Sequence, residues 1–326
     1  MYININKEDI YNHYNSTVGH NLRDLSLSLN QKNIYIKANA DLDKYYTKSH
    51  IAKKCYESIK GFLNRSKVDI TNTLFIEPSA GSGVFLKHIK EASMGFDLAP
   101  TTPGIYKNDF LKGDIKKFFT LEDSKKQTVF IGNPPFGKKS DLAIQFINRA
   151  FKYGSVVGFI LPIQFRKWSA QNKIDPRAKL VVDMDLPEKA FEFMGEDYGV
   201  RCCFQVWVLN DFPTQAQDLR MKHKPEVSHE DFEIYQFNRT KPAERYFDYD
   251  WDFAVPRQGF NDYTVKVINK NQCDRKKQWI FFKAKNPKVL SDLLKIDFEK
   301  LSKKNIGIPG FGKADVVEEY KKLYNK

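Results

Sequence analysis

Thr73-Leu74-Phe75-Ile76-Glu77-Pro78-Ser79-Ala80-Gly81-Ser82-Gly83 is the stretch that decides the fold. An apolar run of strand character ends in an acid, and a turn with glycine at 81 and 83 leads at once into a helical pattern over 83–91. Glycine is needed where a backbone bends sharply or where a ligand approaches the main chain, and the first turn of a helix offers N–H groups without intrahelical partners. The order G-x-x-x-x-G-K-[ST] of a phosphate-gripping loop is absent, and Leu86 stands where a full G-x-G-x-x-G has its third glycine. The turn alone is equally compatible with a plain strand-to-helix connection.

On either side the pattern repeats. Runs of strand character fall at 73–77, 93–97, 128–132, 155–161, 179–185 and 201–209, with helical patterns between them at 83–91, 141–151 and 187–193. This alternation predicts an α/β domain over 45–210, a parallel sheet with helices on both faces. Upstream, Thr47 or Ser49 is placed to cap a helix whose apolar positions are Ile51, Cys55, Ile59 and Phe62. Residues 1–44 are polar and Asn-rich and read as an arm or cap. After Asn210 prolines and irregular aromatic segments take over, so 211–326 reads as a smaller α+β region with helical patterns at 289–301 and 314–324, expected to serve target recognition.

Composition narrows the classes. A length of 326 residues favours two domains, at roughly 150 residues each. With 41% hydrophobic and 29% charged residues the chain is neither disordered nor fibrous. No apolar run approaches the roughly 18–20 residues of a membrane span, and no secretory signal is visible at Met1 to Asn6. Four cysteines without a C-x-x-C spacing give no zinc site, and adjacent Cys202 and Cys203 in an apolar run read as buried thiols, so a reducing, intracellular compartment is expected. The net charge of +13 favours a polyanionic partner.

Two further acids follow the glycine turn. Asp97 ends the next strand, twenty residues after Glu77, where a carboxylate can accept both hydroxyls of a ribose. Asp114 lies after the following turn, where it can accept from an adenine amino group with Ile115 against the ring. Together these acids describe a pocket for an adenosine carrying a non-phosphate tail. The strand at 128–132 then ends in Asn133-Pro134-Pro135-Phe136. Consecutive prolines fix φ and donate no hydrogen bond, so the loop is stiff and its carbonyls are acceptors. Two acceptors beside an aromatic plate suit a planar base with an exocyclic amine. Holding both N–H groups favours a pyramidal nitrogen with its lone pair aimed at an electrophile.

These motifs, in this order, resemble those of S-adenosylmethionine-dependent amino methyltransferases. The segment Lys44-Tyr45-Tyr46-Thr47-Lys48 with Ile51-Ala52 resembles the motif preceding the glycine turn in the gamma-class adenine-N6 DNA methyltransferases. The resemblance covers about residues 44–210 and implies a Rossmann-like class I methyltransferase sheet. It implies S-adenosylmethionine as cofactor, with Tyr46 and Thr47 near its methionine part, and Glu77, Pro78, Ala80, Gly81 and Gly83 about its amino-acid and sulfonium region. Asp97 would take the ribose, and Asp114 with Ile115 the adenine. Asn133 and the Pro134 carbonyl would hold the target amine, Pro135 would stiffen the loop, and Phe136 would stack on the target base. The family often clamps the other face of the base with a further aromatic, for which both Phe193 and Tyr198 stand in range.

The expected substrate is adenine in double-stranded DNA, flipped out of the helix, with no metal and no obligatory protein partner. Lys138, Lys139, Arg166 and Lys167 follow the strand ends, and Arg275, Lys276 and Lys277 lie in a stretch from 266 to 288 that holds eight basic residues and one acid. All are candidates for the nucleic-acid backbone. Within that stretch Phe281 and Phe282 read as core. None of the fourteen prolines is followed by cysteine, which disfavours methylation at cytosine carbon five, and the H-x-E and P-C-x-x-C ligands of a zinc deaminase are absent. The same chemistry on RNA, methylation of a protein glutamine, and a silent nucleic-acid-binding module are the rival readings.

Overall fold

The computed structural model describes residues 46–193, 196–303 and 308–324. The segment expected as an arm or cap, 1–44, lies outside the described residues. The chain forms two compact units: one reaches Phe165 and resumes over Ser169–Met221, and the other consists of Arg166–Trp168 and Lys222–Lys326.

The first unit carries β1 (Tyr46–Thr47), α1 (Ser49–Arg65), β2 (Thr73–Glu77), β3 (Ala92–Asp97), β4 (Ile105–Lys107), β5 (Gln127–Gly132), α2 (Asp141–Ala150) and β6 (Val156–Pro162). After a short α3 (Trp168–Gln171) come β7 (Ala178–Asp185), β8 (Phe191–Phe193), β9 (Glu196–Tyr198) and β10 (Cys202–Leu209). Seven strands form one sheet in the order β4-β3-β2-β5-β6-β10-β7. Alternate residues of each strand serve opposite faces. Phe75, Val129 and Ile131 meet Ile51, Cys55, Ile59 and Phe62 of α1. Leu74, Ile76 and Phe130 meet Ile144 and Ile147 of α2 on the other side. Both faces are therefore covered, as the Rossmann-like α/β class requires.

The sheet is mixed rather than wholly parallel. From β4 to β6 the neighbours are parallel, but β10 runs antiparallel to both β6 and β7. A parallel neighbour needs a crossover, usually a helix. The helix expected over 187–193 does not form; its end is strand β8, which pairs with β9 in a hairpin and with β1 on its other edge. The chain therefore returns from β7 without a crossover, and β10 enters antiparallel. The start of α1 also differs from expectation. Its N-cap is Lys48, whose side chain does not cap, because Thr47 belongs to β1 and the Lys48 N–H donates to the Ala190 carbonyl at 3.1 Å.

The first unit extends past Leu209. Phe212 stacks on Phe62, Leu219 donates its N–H to Leu180 O at 2.7 Å, and the Arg220 guanidinium donates to the carbonyls of Gln171, Ile174, Asp175 and Ala178 at 2.7–2.9 Å.

The second unit is built on β11 (Phe232–Phe237), β12 (Phe253–Gln258) and β13 (Gln278–Ala284), an antiparallel sheet in the order β11-β13-β12. Helices α4 (Pro287–Leu294), α5 (Phe298–Ser302) and α6 (Lys313–Tyr324) cover one face. The pattern expected as one helix over 289–301 is thus broken, and Asp297 caps the second piece by accepting from Lys300 N at 2.9 Å. The central strand β13 sends Phe282 into the core under the helices and Phe281 into the core on the opposite face; both are fully buried.

Candidate active site

The carboxyl ends of β2, β3, β4 and β5 lie along one edge of the sheet, and the candidate residues follow from them. Beyond Glu77, Ala80 donates its N–H to Phe96 O at 2.8 Å, and Gly83 donates to Ala80 O at 2.7 Å. Gly81 and Gly83 sit at φ +51° and +69°, conformations that only glycine adopts without strain. The following segment, 81–88, is a succession of turns rather than the helix expected over 83–91. The Leu86 N–H is directed at the Glu77 carboxyl, and three- and four-residue bonds alternate around it (Lys87 N to Gly83 O at 3.2 Å, His88 N to Phe85 O at 2.9 Å), so no regular ladder forms. Of the N–H groups expected to be open, that of Gly81 is engaged by Asp97 and that of Gly83 by the Ala80 carbonyl.

Glu77 is 2% exposed. Burial pushes its carboxyl well above the usual carboxylate range; the Leu86 N–H opposes the shift and the Asp97 charge adds to it. Its Oε2 has no hydrogen-bond partner. Gly132, at φ +153°, lets β5 pass close by: a Cβ there would lie 3.3 Å from Glu77 Cγ. Asp97 is half-buried, and its two oxygens accept from Gly81 N at 2.8 Å and Ala99 N at 2.9 Å.

Asp114 is exposed and accepts from Lys116 N at 3.0 Å, while Ile115 is fully buried in the core on the α2 side. Nearer the sheet edge are two residues that the sequence reading passed over. Asn108 directly follows β4, is 7% exposed, and its buried Oδ1 has no hydrogen-bond partner. Its N–H donates to Asp97 O at 2.9 Å, and a Cβ on Gly113 would come within 2.4 Å of its Oδ1. Asp109 follows, half-buried, accepting from Leu111 N at 3.0 Å. The missing signal was β4 itself, only three residues long, with no apolar run to announce it.

After Gly132 the tetrad Asn133-Pro134-Pro135-Phe136 leaves the sheet edge. Ser79 Oγ donates to Asn133 O at 3.2 Å, tying this loop to the glycine turn. Asn133 Oδ1 and Pro134 are buried, and Pro135 and Phe136 are half-buried, with Phe136 against the core on the α1 side. Gly137 is at φ +69°, where a Cβ would lie 2.6 Å from Leu142 Cγ, and Lys139 and Ser140 take left-handed φ values of +55° and +63°. Non-glycine residues in that region store roughly 1–3 kcal/mol each. Lys138 and Lys139 are exposed.

From β1, Tyr46 lies over the turn: a Cβ on Gly81 would be 3.6 Å from its ring. Thr47 is 6% exposed, and its buried Oγ1 has no hydrogen-bond partner. The adjoining hairpin is held by Asp197, whose carboxylate meets Lys48 Nζ at 2.5 Å and Lys189 Nζ at 3.4 Å. The side chains of Phe193 and Tyr198 lie outside the described residues. Arg166 and Lys167 group with the second unit, where Lys167 Nζ stands 4.0 Å from Asp315, and Arg275, Lys276 and Lys277 are exposed on the turn before β13.

Buried polar atoms normally have partners. Thr47 Oγ1, Glu77 Oε2 and Asn108 Oδ1 do not. They belong to β1, to the strand before the glycine turn and to the residue after β4. Such a set of acceptors, with a buried carboxyl whose charged form a cation would stabilise, fits a nucleoside with a positively charged tail.

Neither a protein-family model nor a curated protein matches the chain. Solved structures do. The type IIL restriction-modification enzyme MmeI in complex with DNA is 10% identical, with a TM-score of 0.43 over 90% of this chain and 66% of that one. The 23S rRNA methyltransferase ErmE is 11% identical, with a TM-score of 0.31 over 47% of this chain and 69% of that one. The N-methyltransferase NodS from Bradyrhizobium japonicum, in complex with S-adenosyl-l-homocysteine, is 9% identical, with a TM-score of 0.32 over 48% and 86%.

Proposed function

We propose that the chain is an S-adenosylmethionine-dependent methyltransferase that modifies the exocyclic amine of adenine in double-stranded DNA. The observation that carries the reading is the Ser79–Asn133 bond, which fixes an amine-holding loop against a glycine turn flanked by Glu77 and Asp97. Tyr46, Thr47, Glu77, Pro78, Ala80, Gly81, Gly83 and Asp97 hold the cofactor, with Asn108 and Asp109 joining Asp114 about its adenine and Ile115 supporting them from the core on the α2 side. When bound, S-adenosylmethionine supplies an electrophilic methyl group on a sulfonium.

The chain's own part is positioning. Asn133 Oδ1 and the Pro134 carbonyl accept the two N–H bonds of the target amine and turn its lone pair out of the ring. Pro135 keeps that carbonyl from wandering, and Phe136 stacks on the base. Glu77, ionised beside a cationic ligand, holds the charge that its burial otherwise disfavours. A base inside a duplex is out of reach, so it must be flipped out at a cost of a few kcal/mol. The exposed cations Lys138 and Lys139, and Arg275, Lys276 and Lys277 of the second unit, support this by gripping the backbone.

The test is transfer of label from S-adenosylmethionine to duplex DNA, single-stranded DNA and RNA, with the products identified as nucleosides by mass spectrometry. N6-methyladenine in duplex DNA is the expected product. Methylated adenine only in RNA would reassign the substrate, and none in any pool would end the reading.

A further inference from the structure

Several cations on the helical side of the second unit sit beside carboxylates: Lys295 by Asp292, Lys300 by Glu319, Lys321 by Glu226 and Lys322 by Glu318, at 2.5–4.0 Å, while Lys266 lies 5.7 Å from the Phe298 ring. On the opposite side of the sheet three cations sit over rings. Arg245 lies 5.3 Å from the Tyr246 centroid, Arg275 4.5 Å from Phe247 and Lys277 4.6 Å from Phe260. All three are exposed, and among the described residues none has a carboxylate within salt-bridge distance. A ring fixes a cation's position without neutralising it.

That side also presents aromatic surface. Tyr235 and Tyr246 are half-buried and stacked at 5.3 Å, and Tyr249, 40% exposed, stands edge-on to both at 4.9 and 5.3 Å. The Arg275–Phe247 contact joins the turn before β13 to the segment Lys241–Asp248. Exposed Glu244 and Asp248 share that segment, but Asp274, the acid of the neighbouring turn, is bonded to Lys276 N at 2.8 Å. Lys283 does not belong to this set, since Asp250 and Asp252 hold it at 2.9 and 3.1 Å.

We infer that the face of the second unit's sheet opposite α4–α6, which carries the 3-10 helix Lys241–Asp248, is the surface that grips the nucleic-acid backbone, with Arg245, Arg275 and Lys277 on phosphates and the Tyr235–Tyr246–Tyr249 cluster as its floor. The inference rests on the proposed function for the kind of partner. It assigns the grip to Arg245 and the tyrosines, which the basic run at 266–288 did not reveal, and excludes Lys283 and the helical lysines from it. Guanidinium and ammonium groups held on rings meet phosphate oxygens without first leaving a carboxylate, and the Tyr246 and Tyr249 hydroxyls add neutral donors, whereas the Tyr235 hydroxyl donates to Glu233.

The test is binding of a labelled duplex DNA to the full chain across a salt series. Each lost phosphate contact lowers the slope of log affinity against log salt by about 0.9. The double variant Arg245→Gln/Arg275→Gln is expected to lower the slope by about twice that, while Lys300→Gln/Lys322→Gln leaves it unchanged. An unaltered slope in the first variant, an equal fall in the second, or no binding by the wild type overturns the inference. Affinity for S-adenosylmethionine, measured alongside, is expected to be the same in all three proteins. Binding that follows this pattern without methyl transfer would leave the face standing and defeat the proposed function.

Discussion

Asp97 Oδ2 accepts the Gly81 N–H at 2.8 Å, so the acid that ends β3 also fixes the turn that leaves β2. Its other oxygen takes the Ala99 N–H. The carboxylate is thereby aimed by two main-chain donors rather than by its own rotamer preference. Asp97→Asn keeps the size and one acceptor but loses the charge. A hydrogen bond to a charged group contributes about 1.5–3 kcal/mol, so affinity for S-adenosylmethionine is expected to fall about 10- to 100-fold. Equilibrium dialysis with the labelled cofactor measures this, and undiminished affinity would remove Asp97 from the site.

Glu77 gives a pH signature. Its carboxyl is raised in the folded chain, so the folded state holds the proton more tightly than the unfolded one. The stability associated with this group is fully present below the unfolded value and is lost as pH rises through the folded one. Glu77→Gln removes that loss, so relative to wild type the variant gains stability on going from acidic to neutral pH. Binding a cationic ligand favours the carboxylate and releases the proton. Calorimetry in buffers of different ionisation enthalpy should show proton release below the raised value in wild type and less of it in Glu77→Gln.

Asn133→Ala separates chemistry from binding. Ser79 anchors the main-chain carbonyl of Asn133, so the loop keeps its place when the side chain is cut back. Cofactor affinity should stay within about twofold, while transfer falls by about 10²–10³, as for loss of a preorganised polar group. Phe136→Ala should weaken target binding by about 1–3 kcal/mol, the range for a lost stack on a base. Equal transfer rates in wild type and Asn133→Ala would take the tetrad out of the mechanism.

What the sequence showed was what short-range pattern can carry. The apolar runs of β2, β5, β6, β7 and β10 and the spacing of Ile51, Cys55, Ile59 and Phe62 correspond to elements of the fold. The motif order brought Glu77, Asp97 and Asn133 to one sheet edge. What stayed hidden depended on partners remote in sequence. The direction of β10 follows the hairpin of β8 and β9, and after Gly83 three- and four-residue bonds interleave in place of a helical ladder. Strand β4 pairs only with β3, at the sheet's edge, and is too short to show a period, so Asn108 and Asp109 were missed.

With Phe212 on Phe62 and Leu219 on Leu180, Arg220 ties 211–221 to the first unit. Its guanidinium donates to four main-chain carbonyls and lies 5.7 Å from the Trp207 ring. Lysine has one nitrogen and cannot serve four acceptors so spread. Arg220→Lys is expected to cost about 2–4 kcal/mol, read as a lower urea midpoint, with cofactor affinity per folded molecule unchanged. A midpoint equal to wild type would show that the fork contributes nothing to stability.

Asn108 tests whether a buried orphan belongs to a ligand. Its Oδ1 is out of solvent with no partner, and Gly113 leaves just the space that its amide fills. An unsatisfied buried acceptor costs about 1–3 kcal/mol, so a residue kept only for packing would be better as an apolar one. Asn108→Ala removes that penalty at the expense of a small void, and its thermal midpoint without ligand is expected to stay within a few degrees of wild type. With S-adenosylmethionine the two proteins should part: the wild type gains a larger midpoint shift, because binding stabilises in proportion to the logarithm of ligand over Kd. A variant that loses stability without ligand and keeps the full shift would make Asn108 a packing residue and return the adenine contact to Asp109 or Asp114. A variant that keeps its stability and loses the shift places the amide in the cofactor pocket.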